Sequence, residues 1–405
     1  MPFSLNGFHR AHGTRFRLFA QSPVLPGFGR PETVWTSSPA GTLGPGPSDA
    51  RMYVVEPLAK KPYGENDLPP YRGPIAPPVI PCQGGHFDHL FPGDPGFASA
   101  HMFGTVRRVL DVWETYLGGP VHWHFGGTHS RLEMIPHVPW NNAHFGWGFM
   151  ECGEGADDQG ALRPFALNFD VLAHETGHGI LFALGGMPTP EGMTAAWRGF
   201  HESASDCVAM FSALHFESFV AHVLDATSGD LFVENEMNRI GELSPTRQIR
   251  NASNAKRLSD LDDLDRPATE LTGGQVHALG QPLTGAVFDI CVEFFMDGLV
   301  ESGLVTRAYA RDVRAAARDE RLEQIDREPC IEAYRDDPAG FRTALGDARD
   351  LIGLRLAETW RRTEPNLFTY PGLARTFLRV DAEMTGDANR RAIRDCFEWR
   401  EIDPG

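Results

Sequence analysis

The chain has 405 residues, 41 % of them hydrophobic, and 37 Lys and Arg stand against 54 Asp and Glu for a formal net charge of −17. That length allows two or three domains with substantial cores, and the acidic balance argues against nucleic acid or an anionic membrane surface as default partners. No apolar run is long enough to span a membrane, and the six cysteines are scattered without a C-x-x-C, which suits reduced, buried thiols better than a disulfide framework or a cysteine zinc site.

The first twenty residues carry His9, Arg10, His12, Arg15 and Arg17 and lack the apolar core of a secretory signal. A cytoplasmic location is therefore expected, with export by a non-classical route as the alternative. Residues 1–97 hold more than half of the 31 prolines. They read as an irregular, partly β segment that wraps a neighbouring domain, with a strand candidate at 51–56. Phe103, Val106, Leu110, Trp113 and Leu117 then recur at spacings of three and four, which predicts an amphipathic helix over 98–117, ended by Gly118, Gly119 and Pro120.

Residues 121–125 alternate like a strand, with His122 and His124 on one face. That pair could bind a metal, although exposed or hydrogen-bonded strand histidines are commoner. Further strands are expected over 131–136 and 141–150, the latter running into a Gly-rich acidic turn at 151–158. A helix follows over 169–184, and a second over about 194–215 after a loop with Gly185, Gly186, Pro188 and Pro190. Residues 216–282 mix short helices with polar loops, and helices are expected over 285–299, 306–323, 338–363 and 386–399. The resulting divisions are 1–97, an α/β half over 98–190, and an α-helical domain over 191–405.

The first of those two helices contains His174-Glu-Thr-Gly-His178, an H-E-x-x-H pattern. Positions i and i+4 share a helix face, so both imidazoles can reach one metal ion, while Glu175 is placed to act on water bound to that metal. Glu202, 24 positions beyond His178 and on the next helix, completes the His₂Glu set of a catalytic zinc and leaves one position for water. Asp206, four residues further, is placed to accept a hydrogen bond from the far nitrogen of a ligand histidine.

H-E-x-x-H followed by Glu202-Ser-Ala-Ser-Asp206 resembles the thermolysin family of zinc metallopeptidases, the gluzincins, with H-E-x-x-H and then E-x-x-x-D. Asn142-Ala-His-Phe145 is similar to the family's edge-strand segment, which implies that Asn142 and Ala143 hold an extended substrate. Arg250 resembles the arginine that contacts the substrate carbonyl beyond the scissile bond. Gly273-Gly-Gln-Val-His277 resembles the G-G-V-H segment whose histidine stabilises the tetrahedral intermediate, with Gln275 as an extra residue. Otherwise, His277 reads as a turn histidine and Arg250 as half of a surface ion pair. The resemblance covers about 98–290 and, more weakly, the final helices. It implies an α+β fold with a β-rich N-terminal part, a mostly α-helical C-terminal domain and the active-site helix between them. It also implies that Phe165, Val171 and Ile249 line an apolar specificity pocket, for which core packing is the competing reading.

Four departures stand out. No tyrosine lies between His178 and Glu202, where the family places one that assists the oxyanion, and Trp197 and His201 are the only obvious replacements. His201 precedes the glutamate ligand where asparagine is usual. Asp170 remains of the family's calcium acids but Ala213 replaces the next, so no double calcium site is expected. The family's usual signal and pro-segment are not visible. The reading is a zinc metalloendopeptidase that hydrolyses peptide bonds with a Glu175-activated, zinc-bound water. Its alternatives are a zinc hydrolase recruited to a specialised amide and a non-catalytic peptide-binding relative. The expected partner is a peptide or protein substrate, with no nucleic acid or membrane, and the oligomeric state stays open.

Overall fold

The computed structural model describes residues 9–64, 67–241, 248, 250–264, 266–318 and 321–405. The chain is a mixed α+β protein of helices and small sheets, divided into two compact units. The first unit runs to Gly186 and takes Gly241 as well; the second holds Met187–Ile240 and Arg250–Gly405.

In the first unit, β1 (Gly13–Leu18) and β2 (Glu32–Pro39) pair antiparallel. Their alternation puts Phe16 and Leu18 wholly out of solvent against α1 (Phe97–Leu117). So part of the proline-rich stretch is an ordered antiparallel pair, whereas its described residues between 55 and 96 are mostly turns and irregular chain. Gly118, in the left-handed region at φ 69°, ends α1 and donates its N–H back to Thr115. Strands β3 (Met52–Val54), β4 (Leu132–Ile135), β5 (Ala143–Phe145) and β6 (Phe149–Cys152) form a sheet in the order β3-β4-β6-β5, with β5 antiparallel at its edge. A small hairpin of β7 (Glu154–Ala156) and β8 (Leu162–Pro164) leads to α2 (Phe169–Gly185).

The sheet has two unlike faces. Met52, Leu132, Met134, Met150 and Cys152 are fully buried on one, towards α1 and α2. The other buries Glu133 and Glu151, each held by donors from the proline-rich segment. Tyr53 and Tyr63 hydroxyls and the Tyr71 N–H donate to Glu133 at 2.6–2.9 Å. Lys60 Nζ and the Tyr63 N–H donate to Glu151 at 2.6 and 2.5 Å, and His144 Nε2 lies 2.8 Å from the same carboxylate. Burial opposes ionisation of Glu151, but those three contacts outweigh it and hold the carboxyl below its usual range.

Two strand expectations fail here. Residues 121–125 keep the alternation, with Val121, Trp123 and Phe125 buried and His122 exposed, but they form no ladder. Gly126 and Gly127 let the chain coil, and the N–H groups of Gly126, Thr128 and His129 bond back to Trp123 and Phe125 instead. The expected single strand over 141–150 is a hairpin, because Gly146 and Gly148 (φ 88°) turn it between β5 and β6.

The second unit is mostly helical. It holds α3 (Ala195–Ala213), α4 (Glu217–Thr227), α5 (Gly273–Glu301), α6 (Arg307–Arg318), α7 (Glu328–Asp336), α8 (Pro338–Arg361), α9 (Tyr370–Thr385) and α10 (Arg390–Trp399). A two-residue ladder joins β9 (Arg239–Ile240) to β10 (Arg250–Asn251). Helix α5 packs against α3, α8 and α10. It starts at Gly273, a dozen residues before the predicted 285, and runs through Pro282. Proline removes the N–H that would serve the Ala278 carbonyl, and the same stretch is tied from outside and within, the Tyr370 hydroxyl donating to the Leu279 carbonyl at 2.6 Å and Thr284 Oγ1 to that of Gly280 at 3.2 Å. Helices α7 and α9 went unpredicted, and α10 starts later than 386 because Asp387, at φ 69°, breaks the chain there. Among the described residues no single helix is long and apolar enough to cross a membrane.

Candidate metal centre

Helix α2 is set by its ends. The Asn168 side chain accepts a hydrogen bond from Val171 N at 3.3 Å, and Asp170 sits in the first turn, where a carboxylate suits the helix dipole. Asp170 is committed to structure, with Oδ2 accepting from Gln21 Nε2 at 2.8 Å. One turn on, one donor atom from each of His174, Glu175 and His178 lies within 4.8 Å of the other two, a group able to hold a metal ion. His174 and Glu175 are buried and His178 half-buried, and the two imidazoles stand 4.7 Å apart at 89°, edge to face. Two imidazoles converging from one helix face fit zinc, which takes nitrogen ligands readily and imposes little geometry of its own.

Gly179 fixes what lies beside this helix. A Cβ there would come within 2.6 Å of the Phe145 ring and 3.1 Å of Trp123, so only glycine lets α2 approach β5 this closely. The ladder bonds Gly153 N to Asn142 O and Gly146 N to Phe149 O, both 2.8 Å, show that residues 142, 144 and 146 face β6. By alternation, Ala143 and Phe145 direct their N–H and C=O groups away from β6, to the side where no described strand pairs with β5 and an extended chain could add. Asn142 is exposed and Ala143 buried.

Sequence reasoning missed Cys152. Its thiol, on β6, is fully buried and pushed well above its usual pKa by burial and then by the charge of Glu175 and Glu151, so it stays neutral beside the glutamate. No motif signals it; only the β6 register does. Among the described residues, His124 belongs to no group of three metal-ligating side chains. It packs edge-on to Trp147 at 5.0 Å and beside Phe182 at 5.0 Å, and burial lowers its pKa to about 4. Phe165 and Val171 are both buried. Phe165 lines a cavity of about 150 Å³ with Ser22, Val24 and Asn168, whose walls do not include Val171. Ile249 lies outside the described residues.

The second unit carries the other candidates. Thr194 caps α3 by accepting from Trp197 N at 3.1 Å. On α3, Asp206 Oδ1 accepts from Arg250 Nε at 2.6 Å, and both residues are buried, so Arg250 belongs to a buried ion pair and the surface-pair reading falls. His277 Nε2 lies 3.0 Å from Glu202 Oε2. The extra residue of the G-G-Q-V-H segment has a structural role: Gln275 completes a capping box at the start of α5, its N–H donating to Thr272 Oγ1 and its side-chain oxygen accepting from Thr272 N at 2.9 Å. His277 is thereby a helix residue, the fifth of α5, and not a loop histidine. Trp197 is buried in ring contact with Phe200, Phe368 and His201, which makes it a core residue.

No protein-family model matches the chain, and no curated protein matches it in sequence. Among solved structures it is similar to the precursor of protealysin, a metalloproteinase from Serratia proteamaculans, at 12 % identity and a TM-score of 0.38, over 71 % of this chain and 88 % of that one.

Proposed function

We propose that the protein is a zinc-dependent peptidase, and the observation that carries this is the convergence of His174, Glu175 and His178 on α2 next to an open strand edge. His174 and His178 would hold the ion. Glu202 is assigned as the third ligand from its sequence relation to the motif, with Asp206 following it. Zinc bound there supplies Lewis acidity towards a carbonyl oxygen and makes water a nucleophile near neutral pH. Glu175 takes the proton of the attacking water and passes it to the leaving nitrogen, which must be protonated before the C–N bond breaks. Ala143 and Phe145 bind the substrate backbone in extended form, and Asn142 flanks it. His277 is assigned to the developing oxyanion and Arg250, anchored on Asp206, to the carbonyl beyond the scissile bond. Calcium is not part of this reading, and a cytoplasmic location is its companion expectation.

The test is zinc content together with cleavage of a diverse peptide library, on wild type beside Glu175→Gln. Stoichiometric zinc in both proteins, with cleavage reduced about 10³-fold in the variant, is expected. Zinc without cleavage of any peptide overturns the peptidase reading in favour of a specialised amide substrate. Failure to take up zinc on reconstitution overturns the metal centre.

A further inference from the structure

The second unit holds a cleft of about 380 Å³ between α5, α6, α10 and the turn at 253–255, lined by none of the residues assigned above. That volume lies within the span of small-molecule sites, roughly 300–1,000 Å³. Phe288, Val292 and Leu322 give it apolar walls, and two carboxylates four residues apart on α5, Asp289 and Glu293, reach into it.

The basic groups around those acids are already committed. Arg400, 1 % exposed, donates to Asp289 Oδ2 at 2.8 and 3.0 Å, to Asn254 Oδ1 at 2.8 Å and to the Lys256 carbonyl at 3.1 Å, with its guanidinium 4.4 Å from the Trp399 ring centre. Arg314 is held by Glu293 at 2.5 Å and Asp297 at 2.6 Å. The carboxylates retain capacity. Among the described residues no side chain or backbone group donates to Asp289 Oδ1, and Glu293 Oε1 has only Arg318 at 3.6 Å. Burial keeps both carboxyls above the usual carboxylate range in spite of the arginines, so a further cation alongside them gains. The Asp289 side chain lines the cleft and keeps 29 % of its surface reachable by solvent.

We propose that this cleft binds a small organic cation with an aromatic body, an arylalkylamine, its ammonium on Asp289 and Glu293 and its ring among Phe288, Val292 and Leu322. A neutral isostere brings no charge to Asp289 Oδ1 and Glu293 Oε1, the oxygens that Arg400 and Arg314 do not hold, and an anionic one brings like charge to them.

Calorimetric titration of the full-length protein with phenethylamine, phenethyl alcohol and phenylpropionate tests this. Phenethylamine alone should saturate the protein, with unchanged affinity in Glu175→Gln. Ala317→Trp, which fills the cleft from its wall, should weaken binding at least about tenfold, and Arg318→Gln, which removes a competing cation at the mouth, should tighten it about three- to tenfold. No binding of the amine, equal binding of all three compounds, or loss of binding in Glu175→Gln overturns the proposal. If Ala317→Trp fails to fold by circular dichroism, Arg318→Gln decides alone: no tightening overturns it.

Discussion

The two units hold their candidate site residues by different means. In the first, the spacing of His174, Glu175 and His178 is set by one helix, with a cap at Asn168 and a close approach at Gly179. In the second, side chains hold one another: Asp206 with Arg250, and Glu202 with His277. A helix face tolerates the loss of any one side chain without moving the others. A buried ion pair does not, because removing one partner strands the other's charge.

The sharpest break of that contrast is chemical. Glu175→Gln should cost about 10³-fold in turnover while leaving the urea midpoint within error of wild type, since its backbone neighbours stay in place. A drop in stability comparable to that of Arg250→Ala would erase the difference between the units. Arg250→Ala should lose about 3–5 kcal/mol by urea unfolding, and the double variant with Asp206→Asn should recover part of it. Gly179→Ala should destabilise by about 1–3 kcal/mol, because the helical gain of alanine is outweighed by the Phe145 ring lying 2.6 Å from the new methyl. Neutral or improved stability there would show that β5 yields readily.

The smallest effect concerns pH. Because the folded Glu151 carboxyl is held below its usual value, its contribution to stability is present above the ordinary carboxylate pKa and is lost as pH falls through the depressed one. Lys60→Met should therefore be less stable than wild type at pH 7, and the two urea midpoints should converge as pH falls towards about 3. Parallel curves would mean that Lys60 does not hold Glu151 ionised.

What the sequence disclosed follows the same division. The helices over 97–117, 169–185 and 195–213 were legible because their apolar spacing, glycine stops and motif all agree. The start of α5 was hidden because Pro282 reads as a terminator, whereas the helix begins at the capping box of Thr272 and Gln275 and runs on through the proline. The turn at Gly146–Gly148 was hidden inside a run that alternates convincingly. H-E-x-x-H encodes its geometry in five consecutive residues. Tertiary pairs such as Glu151 with Lys60, or Asp206 with Arg250, join residues 91 and 44 positions apart, and no local pattern announces them.

The chain has three lysines, Lys60, Lys61 and Lys256. Lys61 and Lys256 are exposed, whereas the Lys60 side chain is 4 % exposed, its ammonium on Glu151 and 3.3 Å from the centre of the Tyr63 ring. An amine-directed acylating reagent should therefore mark two positions at once and the third only when the segment bearing Lys60 lifts from the sheet. The slow labelling of that one amine becomes a clock, readable by mass, for how often the polar face of the sheet opens to water.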